Sequence, residues 1–417
     1  MFIALVLLLF SAHICALLFD KIKLPRVIGE IFGGLLLGPT VFGFLFPNAE
    51  LWIFAAFPSE GQLLFLISEF GLLLLMFISG VEIRGTFTRE DKHTALAFLL
   101  GATILPFIIG LAVSRVFDFA LYAGPNSNPL ALSLIVGIAV AVTSIPVISK
   151  IFLDLKIMGT RYARIVLAIA TIEDSILYAG LAIATGIAGA SVPSGFAITS
   201  VIVLTAIFLL TGLFVVPRVL RWLSTSRASF LMEMSHSRFA LFLLFVFVAT
   251  AALLNINIVF GAFLAGIAVG TVPQEMFAKA AGSIKKISLA LFTPAYFAIV
   301  GLELDLIHQF NLFIFLGFLL LSSGLKISGA LGVGKLIRRS WLSSANLAIG
   351  LNARGGPGIV LATVAFSARL ISEPFFVALV LIAIVTSLTT GYWLRYVMGR
   401  GWPLIEEAGD RPRGPRV

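Results

Sequence analysis

Glu173 and Asp174 stand side by side near the middle of an otherwise apolar stretch, Ile165 to Ala188, that is long enough to cross a bilayer. A charge at the bilayer centre costs roughly 2.5–3.5 kcal/mol on insertion scales and more in simulations, so intramembrane carboxylates mark ion and proton pathways. The chemistry open to such a pair is exchange, because one carboxylate can hold a proton or a monovalent cation in turn. Two basic residues sit at a similar depth, Lys326 within 311–334 and Arg354 within 344–367. Each lies roughly ten residues, or about 15 Å at 1.5 Å per residue, from the cytoplasmic end of its span. A structural ion pair that merely locks helices together is the competing reading. It is disfavoured because one lysine cannot neutralise both acids, and even with Arg354 added two protonation sites remain in a medium of low dielectric constant.

Helix-breaking residues lie level with these charges. The span 130–150 holds Thr143, Ser144 and Pro146, and proline removes a backbone donor and clashes with the preceding turn. The span 344–367 holds Asn352, Arg354, Gly355, Gly356, Pro357 and Gly358. Unwound backbone is tolerated inside a membrane only where it is buried in protein or lines a cavity. Interrupted helices in corresponding positions of two halves point to an inverted-repeat transporter with its site at the midplane.

The elements that must position these residues follow from composition. The chain has 417 residues, 60% of them hydrophobic and only 12% charged, which excludes an ordinary soluble domain. Long apolar runs between short polar gaps give an all-α polytopic membrane protein, since barrel strands would be short and alternating. Thirteen spans are expected, at roughly 2–19, 27–45, 62–82, 94–116, 130–150, 165–188, 196–217, 239–254, 257–271, 288–303, 311–334, 344–367 and 375–394. The gaps alternate between basic ones, such as Lys21–Arg26, Lys150–Arg164 and Lys335–Arg339, and ones around Pro47, Pro125, Pro193, Asn255 and His308 with almost none. The positive-inside rule then puts the N-terminus outside and the C-terminus in the cytoplasm. The net charge of +9 is thereby explained by topology and lipid contact, with no need for nucleic acid. The single Cys15 allows no internal disulfide, and the run 2–19 lacks a basic leader and reads as a first membrane helix rather than a cleaved signal.

Several stretches, in this order and spacing, resemble the monovalent cation/proton antiporter superfamily, in the branch of sodium/proton antiporters and glutathione-gated potassium efflux proteins. They are LPRVIGEIFGGLLLGP (Leu24–Pro39), FGLLLLMFISGVEI (Phe70–Ile83), TSIPVISKIF (Thr143–Phe152), FGAFLAGIAVG (Phe260–Gly270), FTPAYFAIVGLELDL (Phe292–Leu306) and LNARGGPGIVLA (Leu351–Ala362). The resemblance covers essentially all of 1–400 and implies thirteen helices with the acidic pair on the sixth. It implies that Asp174 is the cation- and proton-binding aspartate and that Lys326 pairs with the preceding acid, Glu173. Thr143, Ser144 and Pro146 match one crossing break, where Thr143 and Ser144 join Asp174 and Glu173 as the expected ion- or proton-binding residues, and Asn352 to Gly358 match the other. The chain departs from the commonest pattern by carrying Glu where Asp precedes the aspartate, which changes reach by one methylene. The efflux members usually carry a nucleotide-binding domain after the membrane part, whereas here a short basic tail, 401–417, follows Trp402; this disfavours ligand-gated efflux.

The expected division is a core bundle, about 94–188 and 311–394, that moves against a dimer or scaffold bundle, about 1–82 and 239–303, with 196–217 as a linker helix. The expected partners are membrane lipid, sodium or potassium ions, protons and a second copy of the chain, in a prokaryotic inner membrane, with no cofactor and no enzymatic activity. A potassium channel-like protein and a non-transporting sensor are the alternatives. The first needs a ring of like groups around a pore, and the intact Asp174 and Lys326 argue against the second. An intramembrane hydrolase lacks both a ligand-spaced His pair and a convincing nucleophile. Glu30 and Glu69 are expected to pack or gate rather than bind ions, and Glu303 and Asp305 lie near the outer mouth.

Overall fold

The computed structural model describes residues 2–22, 24–54, 58–82, 92–116, 119–158, 160–189, 195–225, 236–270 and 282–405. Among these residues every regular element is a helix apart from one isolated β-bridge, Ala123 to Ile371. Among the described residues nine helices are long and apolar enough to cross a membrane, or ten with the bent pair Trp341–Leu351 and Gly355–Ser367. The thirteen expected spans exceed that number. The remaining three coincide with shorter apolar helices, Pro129–Ala141, Ser237–Leu253 and Ile258–Gly270. A break at Val142 bounds the first, and a turn at residues 254–257, with Asn255 at a φ of 54°, separates the other two, each shorter than the roughly 20 residues of a full crossing.

The chain divides into two compact units, residues 1–84 with 181–309 and residues 85–180 with 310–417. In the first, Arg26–Leu37 packs between Phe2–Lys21 and Thr293–Leu302. The approach is backbone to backbone: a Cβ at Gly34 would collide with the Ala298 carbonyl, and one at Gly301 with the carbonyl of Ile31. Small residues let helices come this close where lipid supplies no hydrophobic drive for association.

The second unit repeats one pattern twice. A long helix, a broken helix and another long helix appear as Lys92–Val116, Pro129–Ala141 with Ile145–Asp154, and residues 161–180 of the helix Arg161–Gly189. They appear again as Leu312–Leu336, Trp341–Leu351 with Gly355–Ser367, and Glu373–Gly399. The loop entering the first broken helix is bonded to the loop leaving the second, through Gly124 N–H to Leu370 O at 3.1 Å, Asn126 N–H to Arg369 O at 2.9 Å and Ser372 N–H to Tyr122 O at 2.9 Å. The broken helices therefore run antiparallel, as inverted repeats require. Phe98, Phe152, Tyr162, Val166, Leu347 and Leu394 form the apolar core beside them.

Candidate functional site

The two breaks meet and bond to each other. The first half-helix ends at Ala141 because Val142 turns extended, with ψ of 140°. Ser144 N–H donates to Ala353 O at 2.7 Å, and the Thr143 hydroxyl donates to Leu351 O at 2.6 Å. Ser144 Oγ accepts from Val147 N–H at 3.4 Å, and Pro146 lies in the first turn of the next half-helix, where a missing N–H is harmless. In the second break Gly355 has a φ of +30°, a conformation that side chains rarely adopt, and a Cβ there would also strike Val147. Gly356 and Pro357 complete the first turn of Gly355–Ser367 and are buried. The N–H groups of Arg354 and Gly355 are taken by the hydroxyls of Thr386 and Ser387, at 3.3 and 3.1 Å.

The charged groups gather at these breaks, all of them buried. Lys326 Nζ lies 3.2 Å from Glu173 Oε1. The ammonium also donates to Thr143 Oγ1 at 2.6 Å and to the Ala141 carbonyl. Arg354, the second residue expected to compensate the carboxylates, directs its hydrogen bonds to the breaks themselves: Nη1 to Ala139 O at 2.8 Å, and Nη2 to Val140 O at 3.3 Å and Asn352 Oδ1 at 3.1 Å. Lys326 and Arg354 together cover the carbonyls of residues 139–141. Those carbonyls are the negative end of the first half-helix, where cations are favoured.

Asp174 is arranged differently. It is 1% exposed, and neither of its carboxylate oxygens has a hydrogen-bond partner among the described residues. Glu173 Oε2 is likewise buried with no hydrogen-bond partner among the described residues. Buried polar atoms are normally satisfied, so each such oxygen calls for an explanation. Two oxygens of one carboxylate suit a proton or a monovalent cation.

Three contributors escape sequence reasoning. The Thr103 hydroxyl, fully buried, donates to Glu173 Oε1 from a single π-turn at Leu100–Ile104. Such turns recur at functional sites, and its only sequence signals are the flanking Gly101 and Pro106. Gly101 seats that turn on the lysine helix at Gly329. Thr386 and Ser387 are ordinary-looking hydroxyls of the last span.

The model of the sodium/hydrogen exchanger transmembrane family matches residues 8–399. The chain is 27% identical over 400 residues to the Na(+)/H(+)-K(+) antiporter GerN of Bacillus cereus, covering 95% of this chain and 96% of that protein. It is 26% identical over 395 residues to Cation/H(+) antiporter 18 of Arabidopsis thaliana, covering 92% of this chain and 47% of the relative. With the K(+)/H(+) antiporter 1 of Saccharomyces cerevisiae it shares 28% over 403 residues, covering 92% and 45%. The chain thus spans about half the length of the plant and yeast relatives and nearly all of the bacterial one. In fold it is similar to the sodium proton antiporter MjNhaP1 of Methanocaldococcus jannaschii, with a TM-score of 0.57, 15% identity, and 95% and 96% of the two chains covered.

Proposed function

The chain belongs to the sodium/hydrogen exchanger family, and from that premise we propose that it exchanges a monovalent cation, sodium or potassium, for protons across the membrane in which it is embedded. The observation that carries this reading is the pair of buried, unpartnered oxygens on Asp174. A cation entering there favours the ionised carboxylate and expels a proton; a proton arriving from the other side expels the cation. One site that holds either ligand, but not both, is sufficient for coupled exchange.

Glu173 and Lys326 form the companion pair. In the cation-free state the pair is closed, and cation binding beside it weakens the attraction and couples the pair to the cycle. The antiparallel broken helices support alternating access about a midplane site, with the unit that contains residues 85–180 and 310–417 as the moving body. The basic gaps support an N-terminus outside, a cytoplasmic C-terminus and thirteen crossings; a homodimer in a prokaryotic inner membrane is the proposed setting.

The test is proton movement in liposomes carrying an imposed pH gradient, on addition of sodium or potassium. Wild type is expected to collapse the gradient with at least one of these ions, and Asp174→Asn with neither. Exchange by the variant at the wild-type rate would remove Asp174 from the site. If wild type moves protons with neither ion, the exchange reading itself fails.

A further inference from the structure

One buried asparagine, away from the crossing of the breaks, ties three segments to the half-helix Trp341–Leu351. Asn346 is fully buried, and a buried amide is costly unless its donors and acceptor are engaged. All of them are engaged here. Oδ1 accepts from Trp393 Nε1 at 2.9 Å, on the last helix. Nδ2 donates to the carbonyls of Pro403 and Leu404, at 3.4 and 3.1 Å. The Asn346 backbone carbonyl accepts from the Tyr162 hydroxyl at 2.7 Å, on the helix that carries Glu173 and Asp174. These residues all belong to the unit of 85–180 and 310–417.

The segment that receives both amide protons is shaped to return to the protein. The last helix ends at Gly399, and the chain reverses at Gly401, whose φ of +70° suits glycine. Trp402 N–H then donates to Val397 O at 3.2 Å. The Arg400 guanidinium lies over the rings of Tyr396 and Trp402, at 5.4 and 6.0 Å. Beyond the turn the chain borders a cavity of about 390 Å³, with Thr160, Arg161 and Met398 on its other walls. Leu404 and Ile405 pack on the apolar core that includes Tyr162 and Leu347. A tail that merely leaves the last helix needs neither the reversal nor a buried asparagine to receive it.

We propose that Asn346 is a positioning residue for exchange, and that the docked segment Trp402–Ile405 acts through it to set the apparent affinity for the exchanged cation. Asn346 lies about five residues, or about 7.5 Å at 1.5 Å per residue, before the end of its half-helix at Leu351. The Leu351 and Ala353 carbonyls are the ones bonded by the Thr143 hydroxyl and Ser144 N–H. A shift of the half-helix at its anchor is therefore carried to the break. With the segment released, the half-helix samples positions in which the site is not assembled. The apparent affinity then falls in proportion to the time the site is assembled. This inference rests on the exchange reading and adds to it a control by the C-terminal segment.

Two truncations separate the segment from the residues after it: one after Ile405 keeps it, and one after Gly401 removes it. Asn346→Asp is the third variant; it retains the acceptor for Trp393 and sets an oxygen against the Pro403 and Leu404 carbonyls. In liposome flux the truncation after Ile405 is expected to match wild type. The truncation after Gly401 and Asn346→Asp are each expected to raise the apparent KM for the cation about fivefold or more, with the maximal rate within about twofold of wild type. Combining the two is expected to add nothing further, because both act through one contact. Hydrogen exchange of the backbone amides of residues 341–355, in detergent, is read alongside and does not depend on transport. It is expected to be about tenfold faster in both variants and unchanged in the truncation after Ile405. An unaltered KM, whatever the maximal rate, would overturn the proposal, since a segment that only stabilises the fold changes the amount of working protein. Amides that exchange at wild-type rates would overturn it as well. If wild type moves no cation, the reading of cation exchange falls, and the amides alone decide whether the segment holds the half-helix. Should the truncation after Gly401 not fold, Asn346→Asp is scored by itself.

Discussion

Glu173 and Asp174 are neighbours on one helix, and their surroundings differ sharply. Adjacent helical residues point about 100° apart, so the glutamate meets Thr103 and Lys326 while the aspartate meets no donor among the described residues. These acids, with Lys326 and Arg354, were legible in the sequence because any ionisable group stands out in an apolar run. Thr103 was not, because threonines are tolerated throughout such runs by bonding back to the preceding turn, as Thr171 does to Leu167 O and Thr250 to Val246 O. Only the fold separates a hydroxyl that serves its own helix from one aimed at a carboxylate. The carbonyls that bind Arg354 were equally hidden, since residues 139 and 140 lie some two hundred positions away in sequence and backbone oxygens carry no residue signature. Thr103→Val should lower stability by about 1.5–3 kcal/mol, the range for a hydrogen bond to a charged group. It should also slow exchange, and Thr103→Ser should restore both. Unfolding in detergent and liposome flux measure the two effects; a valine variant as stable and as fast as wild type would remove Thr103 from the site.

At the scale of elements, both breaks were legible, from Pro146 on one side and Asn352–Gly358 on the other. Their mutual bonding was not. Ser144 N–H to Ala353 O and Thr143 to Leu351 O join segments some two hundred residues apart, and no local pattern announces that one break completes the other. The number of crossings was also harder to read than their existence. Hydropathy windows run through a break as though the helix were continuous, which makes 130–150 look like one span where the structure has Pro129–Ala141 and a second half-helix. The two breaks should respond differently to small changes. Gly355→Ala places a side chain at a φ of +30° and against Val147, and should cost about 1–2 kcal/mol or more. Ser144→Ala loses only a capping contact and should cost about 1 kcal/mol, because the backbone bond to Ala353 persists. Paired thermal unfolding of the two variants checks the order, and a larger loss at Ser144 would contradict it.

For the whole molecule, the all-α membrane class was plain from composition, and the antiparallel repeat in residues 85–180 and 310–417 came into view only through the loop-to-loop hydrogen bonds. The proposed topology makes a prediction at this scale. In a Cys15→Ser background, a cysteine at exposed His308 should react with an impermeant maleimide added outside intact cells. A cysteine at exposed Arg338 should react only after the membrane is opened. Labelling of both from one side would break the alternation on which the topology rests.

The central claim is that cation and proton compete for Asp174, and the most direct test is the apparent KM for the transported cation over a series of pH values on the cation side. Competition predicts that KM rises as the medium is acidified while the maximal rate holds, and that saturating cation restores full turnover. A KM indifferent to pH, with acidification acting on the maximal rate alone, would contradict it.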